Sequence, residues 1–119
     1  MAKILIVDDS FTTRKFIAHI LKKSGFEIVE ADNGESGLKS VKEEKPDLVI
    51  LDIVMPEKEG IDTILVLKNT LPDLPIIAIS GSSINDTYLS SAKKFGANAV
   101  LAKPFEESEL IETIKEVMA

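Results

Sequence analysis

The 119-residue sequence contains no cysteine. Disulfides, thiolate metal sites and cysteine nucleophiles are therefore excluded. It has no apolar stretch approaching the roughly 18 residues of a membrane span. Its first apolar run, Ile4 to Val7, falls short of the about 7–15 residues of a signal-peptide core, and two aspartates follow it at once. Low-complexity tracts, internal repeats and linker-like shifts in composition are missing too. Positive charge is in deficit: 14 Lys and Arg stand against 20 Asp and Glu, for a formal net charge of −6. A phosphate backbone wants a basic face, so the net charge argues against generic nucleic-acid binding. His19 is the only histidine; beside Ile20 in a helical pattern it reads as a solvated or docking-face residue. What remains is a chain of single-domain length, residues 1–119, with 45% hydrophobic residues from which to build a core. A soluble cytoplasmic protein is the default expectation.

Four short aliphatic runs organise the chain, and each stops at polar residues suited to phosphate or metal chemistry. Ile4–Val7 runs into Asp8-Asp9, Leu48–Leu51 into Asp52, Ile76–Ile79 into Ser80-Gly81, and Ala99–Ala102 into Lys103-Pro104. Runs this short and this rich in Val and Ile read as strands buried on both faces, the mark of a parallel sheet. Phe26 to Ala31 alternates as a fifth strand. In an open parallel sheet, ligands bind beyond the carboxyl ends of the strands. Three carboxylates, a hydroxyl and an ammonium should therefore meet at one edge, a composition that holds a hard cation and a phosphoryl group.

Helical patterns fill the intervals. Phe16, Ile17, Ile20 and Leu21 recur at helical spacing after Ser10, a suitable N-cap, and Gly25 closes that helix. Asn33 caps a second helix carrying Leu38 and Val41 and ended by Pro46. A third follows Gly60 and buries Ile61, Ile64 and Leu65; a fourth presents Ile84, Tyr88, Leu89, Ala92 and Phe95 and stops at Gly96. The last buries Leu110, Ile111, Ile114, Val117 and Met118. Strand and helix alternate five times, which predicts an α/β domain: a doubly wound parallel sheet of five strands with five helices on its two faces.

Asp8-Asp9, Asp52, Met55-Pro56 with Gly60 beyond, Ser80-Gly81 and Lys103-Pro104-Phe105, in this order and spacing, resemble the receiver domain of two-component response regulators. The resemblance covers the whole chain. It implies a flavodoxin-like sheet of order 2-1-3-4-5, an order that periodicity alone does not provide. It implies that Asp52 is the phosphoacceptor and that Asp8 and Asp9 hold Mg²⁺ together with Asp52 and the backbone carbonyl of Val54. It further implies that Lys103 pairs with a phosphoryl oxygen, that the Ser80 hydroxyl binds another, and that the Lys103–Pro104 bond is cis. The elementary chemistry agrees. A carboxylate is a competent nucleophile for an acyl phosphate, Mg²⁺ prefers oxygen ligands, and three crowded carboxylates repel one another until a cation joins them.

Two positions depart from the pattern. Val100 stands where the family often carries Tyr or Phe three residues before the lysine, so the aromatic part of the usual switch is missing. Val54, two residues beyond the acceptor, is apolar where an amide or acid is common.

Rival readings fit less well. Haloacid-dehalogenase-like phosphatases open with Asp-x-Asp after the first strand, whereas here the acidic pair comes first and residue 10 is Ser10. A flavodoxin needs a Ser/Thr-rich phosphate loop where Asp8-Asp9 would repel the phosphate. A phosphorylation-independent pseudo-receiver is the alternative that the intact acidic set argues against. The chain ends at Ala119, soon after the fifth helix, so a stand-alone signalling protein rather than an enzyme is expected, with no effector domain. Its expected partners are a histidine kinase or phosphotransfer protein and a downstream target on the face of the fourth helix, fifth strand and fifth helix.

Overall fold

The structure, a computed structural model, describes residues 2–53, 59–80 and 92–119. Five parallel strands, β1 (Lys3–Val7), β2 (Glu27–Ala31), β3 (Leu48–Asp52), β4 (Ile76–Ser80) and β5 (Ala99–Ala102), form one sheet of order β2-β1-β3-β4-β5. The helices are α1 (Phe11–Lys23), α2 (Gly34–Glu44), α3 (Glu59–Thr70), α4, helical over the described residues 92–95, and α5 (Glu107–Met118). Chain order reverses between β1 and β3, the switch point at which such sheets open a crevice.

Alternation along each strand sends successive side chains to opposite faces. Ile4, Ile6, Leu48, Ile50, Ile77, Ile79 and Leu101 face α1 and α5 and pack with Ile17, Leu21, Phe105, Leu110 and Ile114. Leu5, Val7, Val49, Leu51, Ile76 and Ala78 face the other way and pack with Val41 of α2, Ile64 and Leu67 of α3 and Ala92 of α4. Strands β1, β3 and β4 are therefore buried on both faces, which is why they read as unbroken aliphatic runs. Each fully buried aliphatic side chain contributes about 1.5–3 kcal/mol.

The helix ends follow from their capping residues. Ser10 Oγ accepts from Thr13 N at 3.3 Å and Asn33 Oδ1 accepts from Ser36 N at 2.8 Å. Gly25 and Gly96 take positive φ, +92° and +126°, just past α1 and α4. Helix α2 ends differently: Lys45, immediately before Pro46, adopts the left-handed conformation as its C-cap. The helix faces differ from the sequence reading in two places. Leu65, expected in the core, is exposed, and Leu67 is buried with Ile64 instead. Phe16 is half exposed, and its ring lies 6.2 Å from that of Phe105. The α3 expected to follow Gly60 begins one residue before it. No helix among the described residues is long and apolar enough to cross a membrane.

Candidate functional site

Register brings the strand-end residues together. Val7 pairs with Leu51, so Asp8 and Asp52 continue side by side beyond that pair. Asp52 pairs with Ile79 and Ser80 with Ala102, which puts Lys103 one step further along the same edge. Asp8, Asp52 and Lys103 continue the strand parity of the face that packs against α1 and α5. Ser80 has the opposite parity, and its peptide is tied to the lysine by Lys103 N donating to Ser80 O at 2.8 Å.

The side chains converge. Lys103 Nζ lies 3.1 Å from Asp52 Oδ2 and 3.3 Å from Asp8 Oδ2. Asp8, Asp52 and Ser80 are buried, whereas Asp9 is exposed. One carboxylate oxygen from each of Asp8, Asp9 and Asp52 lies within 4.8 Å of the others. Among the described residues three carboxylates stand against one ammonium, with Asp9 on the exposed side of the cluster. An all-oxygen donor set with residual negative charge suits a hard divalent cation such as Mg²⁺, so the residues present fit the metal that the receiver resemblance implies. The Lys103–Pro104 peptide is cis. Val54, Met55, Pro56 and Gly81 lie outside the described residues.

Local structure fixes the acidic turn. Asp8 N donates to Ala31 O at 3.1 Å, and Asp8 Oδ1 accepts from Ser10 N at 2.8 Å, a side-chain turn of the kind aspartate favours. At the end of β3, Gly60 allows α3 to sit against the strand. A Cβ there would overlap the Ile53 Cα and lie 2.9 Å from Asp52 O. The glycine named for its place in the motif is thus required by the close approach of the two backbones.

Three residues beside the site, Arg14, Lys15 and Glu30, were not picked out by sequence reasoning. Arg14 Nη1 donates to Asp8 O at 2.7 Å, while its Nε donates to Glu30 Oε1 at 3.1 Å. Lys15 Nζ holds the other Glu30 oxygen at 2.9 Å. Burial pushes the Glu30 carboxyl up, but the hydrogen bonds and charges of Lys15 and Arg14 outweigh it and hold the group below its ordinary value of 4.5. The available signal was weak: a cation four residues into a helix and an acid within a neighbouring strand are common surface features.

Fold and site together define a doubly wound domain with an acidic, lysine-bearing cleft at its switch point. The chain belongs to the response regulator receiver domain family, whose match runs over residues 4–115. It is 37% identical over 116 residues to the chemotaxis protein CheY of Listeria monocytogenes, covering 97% of each chain. It is 36% identical to protein PilH of Pseudomonas aeruginosa, covering 100% of this chain and 99% of that one. The crystal structure of the NtrX receiver domain from Brucella abortus superposes with a TM-score of 0.92 at 32% identity, covering 97% of each chain. On the longer NtrX chain the match spans 27% of the length.

Proposed function

We propose that Asp52 accepts a phosphoryl group from a phosphohistidine of a histidine kinase or phosphotransfer protein. The observation that carries this reading is the paired contact of Lys103 Nζ with Asp52 and Asp8, 3.1 and 3.3 Å, at the switch-point edge of the sheet. In the transfer an Asp52 carboxylate oxygen attacks phosphorus. A P–O bond forms as the P–N bond breaks, and the electron pair leaves with the imidazole nitrogen, which takes up a proton from water. The reaction asks mainly for positioning and charge. Lys103, already poised between two carboxylates, re-pairs with a phosphoryl oxygen, and the Ser80 hydroxyl bonds another. Asp8, Asp9 and Asp52, with the Val54 carbonyl, would hold Mg²⁺. When bound, the ion supplies positive charge that relieves carboxylate repulsion and neutralises the phosphoryl oxygens.

Incubation of the cytoplasmic protein with acetyl phosphate and Mg²⁺, followed by intact mass measurement, tests the assignment. Wild type should gain one phosphoryl group and Asp52→Asn none; equal labelling of the two refutes it. The signal then passes to a downstream target protein through α4, β5 and α5. Val100 is half-buried against the cluster under α2, α3 and α4, so no ring is available there to turn inward. Amide shifts on adding beryllofluoride and Mg²⁺ should reach residues 92–95 and α5; shifts confined to the acidic cleft would refute this output face.

A further inference from the structure

A second concavity lies far from the acidic cleft, between α2 and α3 at the ends of those helices that lead into β3 and β4. It encloses about 920 Å³. Val41 and Leu67 form its buried floor, and Leu38, Val66, Leu71 and Leu74 its walls. Val66 and Leu71 are 43% and 45% exposed, and Leu65 beside them is 38% exposed. Three large aliphatic side chains so close together on the surface extend the apolar area past the groove itself. One lip carries Lys39, Lys42 and Lys45. Among the described residues none of the three is in an ion pair, although the chain as a whole has a formal net charge of −6.

Lys45 is the most informative of them. Its φ of 49° and ψ of 61° place a side chain in the left-handed conformation just past a helix, where glycine or asparagine is normally found. The helix dipole accounts for a cation in the last turn, such as Lys42. It does not account for Lys39 a turn earlier, or for a side chain where glycine would sit without strain. Strain kept at a lip position points to a use for the charge.

We propose that the α2–α3 groove docks an amphipathic helix of a partner protein, its apolar stripe in the groove and an acidic row against the lysines of α2. The helical part of the lip, residues 38 to 44, is about 9 Å long at 1.5 Å per residue, nearly two helical turns, and Lys45 and Pro46 extend it. Its lysines recur at three-residue steps, close to the spacing of acids one turn apart on a docked helix. An extended peptide gains its main-chain hydrogen bonds from a sheet edge, and no strand edge borders this groove. A helix satisfies its own backbone and needs only apolar contact and charge.

The test uses the full isotope-labelled chain and a synthetic helical peptide of about 18 residues, with Leu along one stripe and Glu beside it. A companion peptide carries Lys in place of Glu. The Glu peptide should shift amides of residues 38–46 and 66–74 and bind about tenfold more tightly than the Lys peptide, from three exposed charge pairs. Lys39→Glu, Lys42→Glu and Lys45→Glu combined should reverse that preference with an unchanged circular dichroism spectrum. Lys45→Gly should raise the melting temperature yet weaken binding, a pairing that a purely structural role would not produce. Equal binding of both peptides, shifts elsewhere, or no shifts would overturn the proposal. So would decanoate filling the groove while the Glu peptide does not, or the same amides shifting with protein concentration alone; these would assign the groove to a small amphiphile or to a second copy of the chain.

Discussion

Two ionic clusters sit next to each other at the carboxyl edge of the sheet, with opposite stoichiometry. At the switch point one ammonium, Lys103, serves two buried carboxylates, with exposed Asp9 close by. One element away a single carboxylate, Glu30, lies between two cations, Arg14 and Lys15. Among the described residues the first cluster has more negative than positive charge and the second the reverse. The first is therefore held in a state that a divalent cation or a lysine–phosphoryl pair would improve, whereas the second is satisfied by the fold alone. They are linked: the Arg14 that binds Glu30 also holds the Asp8 carbonyl. Through Arg14 the Glu30 cluster braces the acidic one, so a site suited to accepting added positive charge rests against one whose charges are already matched.

The comparison breaks most strongly at Lys103. Lys103→Met leaves Asp8 and Asp52 without their shared cation in a largely buried cleft. It should lower metal-free stability by about 2 kcal/mol, read from urea unfolding, and Mg²⁺ should recover most of that loss. If the variant is as stable as wild type without metal, the cleft is not short of charge.

Mg²⁺ itself comes next. At tenfold above its Kd it should stabilise the wild type by about 1.4 kcal/mol, because it binds the native state alone. Asp9→Ala should lose most of this shift while raising the metal-free melting temperature, since one of three like charges is gone. Melting curves with and without metal check both parts; a full shift retained in the variant would put the ion elsewhere.

Arg14→Ala tests the brace. Loss of its bonds to Asp8 O and Glu30 should cost about 1 kcal/mol and weaken Mg²⁺ binding about tenfold, as for residues that orient metal ligands. Arg14→Lys should not restore it, because an ammonium lacks the fork that reaches both acceptors. Unchanged Mg²⁺ affinity in both variants would separate the two clusters.

The smallest effect is a pH dependence. The Glu30 carboxyl titrates below 4.5 in the folded protein, so the unfolded chain takes up its proton first as pH falls. The brace contributes in full above pH 4.5 and is lost as pH drops through the lower folded value. Melting temperatures of wild type and Glu30→Gln, followed from neutral pH to about pH 3, should converge at the acid end. A constant gap would show that the brace does not depend on the Glu30 charge.

How much of this was legible beforehand differs by element. The aliphatic runs of β1, β3 and β4 were readable because burial on both faces removes every polar residue from them. Ser10, Asn33, Gly25 and Gly96 marked helix ends because each has a local chemical reason to be there. The face of α3 was misread because Leu65 and Leu67 are equally apolar, and only the sheet beneath decides which of them is covered. Arg14 and Glu30 were missed because their pairing spans 16 residues and two elements, so no local pattern announces it.

The sequence by itself determined the alternation of strand and helix, and with it a parallel sheet with its polar residues at one edge. Local hydrophobic period and capping chemistry are properties of short segments. The same residues carried the family resemblance and so named Asp8, Asp9, Asp52, Ser80 and Lys103. The resemblance also implied the sheet order, which the structure bears out; only the tertiary structure decided the distances, with Asp8 and Asp52 flanking the switch point and the Lys103 ammonium between them. It alone revealed the two-sided role of Arg14, the close seat of Gly60 and the lysine-lipped groove between α2 and α3. Each of these depends on distances between segments remote in sequence, and such distances are set by packing.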